Sequence, residues 1–300
     1  MAIIVTRSIL TGLAVKDAMR RQIIRLPQSA SIDHSINYLI KHKANALMTV
    51  DDAGRPAGVV SKTDIMGAYY AGLPIESPLS DIMISPPLFC GMNDSLETAL
   101  EEMRNQGVYR LYVQEKGSDE VVGALAYPDM VGLLYRYCHT CDRSLHPRSR
   151  STSENQTVVR LKVKDVMTNK VMSLEENDTL MQVMEHLSMY RFGALLIENV
   201  EKNAAGVVSK TDLILAYKHQ IPSDSPANRI MTSSVLACDE KDYLEDAIQV
   251  MIFAEVQRIF VQRDDPDKIV GVLSLSDAAR TRSGSCKACV TSRIKVENDS

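Results

Sequence analysis

No stretch of this 300-residue chain approaches the roughly 20 consecutive apolar residues that a membrane span needs, so no transmembrane segment is expected. Excess charge of either sign is missing too. With 34 basic and 38 acidic side chains the net charge is -4, and nothing in the bulk electrostatics draws the protein to a nucleic acid or an anionic membrane. Cysteine is scarce for a secreted disulfide scaffold: six in a chain of this length. No charged leader precedes the apolar residues of Met1 to Leu10. There is no nucleophile elbow, no Walker-type phosphate loop and no catalytic metal pattern. The expectation is a soluble, cytoplasmic protein that is not an enzyme.

Repetition is what the chain does have. Shifted by 148 residues, Gly58-Val59-Val60-Ser61-Lys62-Thr63-Asp64 falls on Gly206-Val207-Val208-Ser209-Lys210-Thr211-Asp212. Met19 falls on Met167, Met83 on Met231 and Asp129 on Asp277, and the six cysteines pair off as Cys90 with Cys238, Cys138 with Cys286 and Cys141 with Cys289. A shorter period lies inside each half: Gly58 to Gly123 and Asp64 to Asp129 are both 65 apart, and so are their counterparts in the second half. The chain is four copies of one unit, arranged as two pairs.

Each unit reads strand, helix, strand, strand, helix. Apolar residues at i, i+3, i+4 and i+7 mark a first helix at Leu96, Ala99, Leu100 and Met103, at Leu180, Val183, Met184 and Leu187, and at Leu244, Ala247, Ile248 and Met251. Ile32, Ser35, Ile36 and Leu39 form a weaker copy. Asp94 with Glu97, Thr179 with Gln182 and Asp242 with Glu245 have capping-box spacing at the helix starts. Two short β-branched runs follow, and the Asp closing each signature is expected to open the second helix. A unit of about 60 residues is near the lower limit for independent stability, so two are expected to share a core. The expected boundaries are a first pair over 1–141, with units at about 12–70 and 78–136, a linker over 142–157, and a second pair over 158–300, with units at about 160–218 and 226–282.

Val163-Lys164-Asp165-Val166-Met167-Thr168, together with Gly-h-h-Ser-x-x-Asp where h is apolar, resembles the two motifs of the CBS family. The chain is similar to four tandem CBS domains, that is, two CBS pairs or Bateman modules. The resemblance implies an α/β (α+β) fold of βαββα units in a pseudo-two-fold arrangement. It also implies clefts for adenosine-containing ligands such as AMP, ADP, ATP or S-adenosylmethionine. In the family the motif Asp accepts hydrogen bonds from the ribose hydroxyls, and the hydroxyl three residues earlier contacts ribose or phosphate. Carried onto this chain, the residues are Ser61 with Asp64, Ser209 with Asp212, and Ser274 with Asp277. Asp129 is the fourth motif acid, but Ala126 stands where its hydroxyl belongs, so that unit departs from the pattern. Arg110, Arg191 and Arg258 precede strands where some members place a phosphate contact.

Cys138-His139-Thr140-Cys141 and Cys286-Lys287-Ala288-Cys289 each follow a pair and lie outside the CBS pattern. Two Cys-x-x-Cys pairs supply the four thiolates that structural zinc prefers. An iron–sulfur cluster and a redox-sensing dithiol fit the same spacing. Cys90 and Cys238 are expected to be buried core thiols. The functional expectation is a regulatory sensor whose ligand state is read by a partner protein, with homodimerisation left open. The alternative is a metal-stabilised scaffold or redox-responsive interaction protein.

Overall fold

The apolar spacing forms helices where it predicts them, at Ile32–Lys41, Leu96–Asn105, Leu180–Met189 and Leu244–Phe253. Each of the inward positions named above is buried, including Ser35, whose hydroxyl is satisfied by donating to the Ile32 carbonyl at 2.7 Å. This computed structural model describes residues 4–5, 12–115, 117–118, 120–139, 161–280 and 295–296. Among them no helix is long and apolar enough to cross a membrane.

The caps differ in part from the expectation. Thr179 and Gln182 do form a capping box, but Ser95, not Asp94, caps the second unit's helix, accepting from the Thr98 amide at 3.0 Å. Asp94 and Asp242 instead turn back to accept the Gly91 and Asp239 amides at 2.6 and 2.9 Å, closing the strand-to-helix turn. They lie one residue too early to reach the helix amides that need a partner.

Every repeat holds a three-stranded sheet in which a central strand runs parallel to the first strand and antiparallel to the third. The central strands are Ala46–Val50, Arg110–Gln114, Ala194–Glu198 and Arg258–Arg263. The third strands are Pro56–Ser61, Val121–Ala126, Ala204–Ser209 and Asp265–Ser274, and each feeds directly into the repeat's second helix. Those helices span Lys62–Tyr70, Tyr127–His139, Lys210–Lys218 and Leu275–Arg280.

The segment leading into each repeat docks on the sheet of another repeat. Arg20 bridges Ala124, Ile84 bridges Val59, Thr168 bridges Val272 and Thr232 bridges Val207. This docking explains the signature glycines, because a Cβ on Gly206 would stand 2.7 Å from the Thr232 carbonyl oxygen. On Gly123 it would stand 2.8 Å from the Arg20 carbonyl oxygen and 2.9 Å from Met19 Sδ. The period that aligns lead-in methionines with signature glycines is therefore the imprint of a packing contact.

Contacts group the chain into two units that cut across the sequence halves: residues 22–88 with 171–236, and residues 1–21 and 89–170 with 237–300. The first unit holds the first and third repeats around a continuous apolar cluster that includes Ile36, Leu47, Ile65, Val183, Leu195 and Leu213. Its contacts obey the 148-residue shift reciprocally. Tyr69 donates to the Ile221 carbonyl and Tyr217 to that of Leu73, at 2.5 and 2.6 Å, while the two rings stack at 5.0 Å. That reciprocity is a local two-fold axis within this unit. In the other unit the second and fourth repeats meet through Tyr127–His139 and Leu275–Arg280.

Candidate functional site

The strand-to-helix junction builds the site. At Ser61 the backbone is still extended, and its hydroxyl caps the helix Lys62–Tyr70 by accepting the Thr63 amide at 3.2 Å. Asp64 is the third residue of the helix rather than its opener, and its Oδ2 accepts both the Ser61 amide and the Ser61 hydroxyl at 2.7 Å. Ser209 and Asp212 repeat this geometry with the same 2.7 Å distances. In the fourth repeat Asp277 Oδ2 accepts the Ser274 amide at 3.0 Å and its hydroxyl at 2.5 Å. So in all three repeats one carboxylate oxygen closes a capping box. The other, Oδ1, accepts no hydrogen bond among the described residues.

The second repeat is built differently. Asp129 Oδ2 accepts the Ala126 amide at 2.9 Å, and Oδ1 is taken by Arg20 Nε. Desolvation raises both Asp64 and Asp129 above the ordinary carboxyl value; Ser61 and Lys210 oppose it at Asp64, Arg20 and Arg110 at Asp129.

Residues outside the expected set complete the site. Lys62 Nζ donates to Thr211 Oγ1 and Lys210 Nζ to Thr63 Oγ1, both at 2.8 Å, so each signature loop of this unit receives an ammonium from the other repeat. Burial lowers the Lys62 value, with Asp212 opposing. Their presence in two identical heptapeptides was the available signal; that each reaches across to the other loop is not written in either one.

Of the expected arginines, Arg110 and Arg258 head central strands, paired with Ala126 and Ser274. Burial lowers the Arg258 value, with Tyr109 and Asp277 opposing. Arg191 does not share their place. It sits exposed in a left-handed turn, φ 54°, and Ala194 occupies the position paired with Ser209. Having an arginine just before a strand concealed a three-residue offset.

Cys238 is buried and Cys90 half-buried, and burial pushes both thiols up to about 12. The side chains of Cys138, Cys141, Cys286 and Cys289 lie outside the described residues, and among those described no group of three or more potential ligands could hold a metal ion.

A family model for the CBS domain matches residues 15–71, 79–136, 163–219 and 227–284. The chain belongs to the CBS-domain family. The chain is similar to MJ1225 of Methanocaldococcus jannaschii, 22% identical over 184 residues, 61% of this chain and 63% of that protein. The crystal structure of MJ1225, proposed as an archaeal homologue of g-AMPK, matches with a TM-score of 0.73 at 17% identity, covering 90% of this chain and 99% of that one. A conserved protein from Pyrococcus horikoshii has the same fold, with a TM-score of 0.59 at 17% identity over 90% of this chain and all of that one. The CBS domain-containing protein YhcV of Bacillus subtilis is 26% identical over 119 residues, 39% of this chain and 82% of that protein. In sequence the alignment spans just under two thirds of MJ1225.

Proposed function

We propose that this protein is a regulatory sensor of adenosine-containing ligands, held at Ser61 and Asp64, at Ser209 and Asp212, and at Ser274 and Asp277. The observation that carries the reading is the unused Oδ1 of all three aspartates. A carboxylate oxygen beside a capped helix start can accept a ribose hydroxyl while Oδ2 keeps the loop shaped. Lys62 beside Asp212 and Lys210 beside Asp64 favour a phosphorylated ligand, AMP, ADP or ATP, over the cationic sulfonium of S-adenosylmethionine. The relation of MJ1225 to g-AMPK supports a regulatory rather than a catalytic role. A ligand acts as a signal by binding one arrangement of the repeats better than another, and a partner protein or a second copy of the chain reads the difference. Of the sequence halves 1–141 and 158–300, joined through 142–157, the first carries one such site and the second two.

Calorimetric titration of the full chain with AMP, ATP and S-adenosylmethionine tests this. The expected stoichiometry with AMP is three, and Asp64→Asn, Asp212→Asn and Asp277→Asn each remove one equivalent. Absence of both heat and any thermal shift with all of them at millimolar concentration would refute it, since a ligand specific for the folded state must raise Tm.

The duplicated Cys-x-x-Cys pairs support a second reading, a structural metal at Cys138, Cys141, Cys286 and Cys289. Elemental analysis of the purified protein checks it: zinc or iron at a fixed ratio to chain supports it, and none of either refutes it.

A further inference from the structure

We infer that the chain closes its own second repeat: Arg20 holds the Asp129 carboxylate and makes that repeat a permanent clasp, leaving three repeats open. This rests on the reading of the signature aspartates as ligand acceptors. In every repeat the residue after the lead-in methionine forms a bridge to the sheet five residues before the signature Asp. Those residues are Arg20 for Asp129, Ile84 for Asp64, Thr168 for Asp277 and Thr232 for Asp212. Of the four, Arg20 alone carries a charge, and its Nε donates to Asp129 Oδ1 while the Ala126 amide occupies Oδ2 at 2.9 Å. No signature hydroxyl is available, because position 126 is alanine.

The pair is asymmetric: the Arg20 side chain is 67% exposed and that of Asp129 only 6%. A ribose diol would therefore have to displace a charge-assisted bond from a buried acceptor and leave the guanidinium without its partner. Neutral hydroxyl donors bond roughly half as strongly, so the exchange is unfavourable. Arg20 is also tied down by its backbone, exchanging two 2.9 Å hydrogen bonds with Ala124, and Met19 covers Gly123 beside it.

Burial raises Asp129 even with Arg20 and Arg110 opposing. Three helices pack against Tyr127–His139 and carry further charged groups. On Val15–Ala18, Lys16 bonds Asn93 and Asp17 the Ala14 amide; on Leu275–Arg280, Asp277 bonds Ser274; Leu244–Phe253 contributes Glu245 and Asp246. Without Arg20, Asp129 becomes a buried anion with a weakened counter-charge, and such an anion destabilises the fold until it is protonated.

The test uses the full chain with Arg20→Thr, Asp129→Asn, their double variant, and Arg20→Thr/Ala126→Ser, read by Tm against pH and by AMP stoichiometry. Arg20→Thr is expected to lower Tm at pH 7 by roughly 3 °C or more. The deficit shrinks as pH falls toward the raised Asp129 value, because a protonated carboxyl needs no counter-ion, and Asp129→Asn cancels it. Asp129→Asn leaves AMP stoichiometry unchanged, and Arg20→Thr/Ala126→Ser adds one equivalent. The clasp is overturned if Asp129→Asn removes an equivalent, if Arg20→Thr/Ala126→Ser adds none, or if the Arg20→Thr deficit ignores pH and survives Asp129→Asn. A wild-type chain that binds no AMP sinks the sensor reading instead, and the pH and double-variant arms still decide the ion pair.

Discussion

Gly206 tests the claim that the lead-in segments shape the signature strands. Alanine there would place a Cβ 2.7 Å from the Thr232 carbonyl oxygen and 3.1 Å from Met231 Sδ. The methionine can swing aside, but the carbonyl cannot. Thr232 accepts from the Val207 amide and donates to the Val207 carbonyl, both at 2.9 Å, so retreat breaks the bridge that docks the segment. Overpacking of this kind costs about 1–3 kcal/mol, and each hydrogen bond lost about 1 kcal/mol more. With both bonds of the bridge lost, the expected destabilisation is about 3–5 kcal/mol. Gly67 is the control within the same unit: it lies exposed in the helix Lys62–Tyr70 with nothing within 4 Å of an added Cβ. Alanine at that position should stabilise by about 1 kcal/mol through helix propensity. Urea unfolding, compared at equal m-values, reads both. A Gly206→Ala midpoint at or above wild type, or a Gly67→Ala loss as large as that of Gly206→Ala, would refute the reasoning.

Two further outcomes follow from burial. Desolvation pushes the Tyr69 hydroxyl up to about 12 from 10.0. An acid whose folded value is raised contributes stability that is complete below its unfolded value, so this contribution persists to pH 10 and is lost as pH rises toward 12. Tyr69→Phe should flatten that alkaline limb in unfolding measured from pH 8 to 12, and an unchanged limb would contradict the burial argument. Cys90 and Cys238, both held near 12, should resist alkylation of the native protein at pH 8 and react on unfolding. Mass spectrometry showing either labelled as fast as a free thiol would count against their packing.

The number of repeats, the order of their elements and the inward helix faces were all legible in the sequence. These rest on local rules: apolar periodicity, capping and turn residues act within a few positions, so Leu96, Ala99, Leu100 and Met103 point inward whatever surrounds the helix. Signature residues Ser61, Asp64, Ser209 and Asp212 stood out through the 148-residue repeat, and their candidate role came from the resemblance to the CBS family. What tertiary structure decided was who meets whom. The duplicated halves appear as two blocks in the sequence, yet the compact units join the first repeat to the third and the second to the fourth. Lys62 crosses to Thr211 over 149 positions, and Arg20 reaches Asp129 over 109. Side-chain identity at those positions says only that a charge is present. Which buried acceptor lies within its reach depends on how the sheets and lead-in segments pack, and that follows from burying shared apolar surface across the whole chain, which no local pattern encodes.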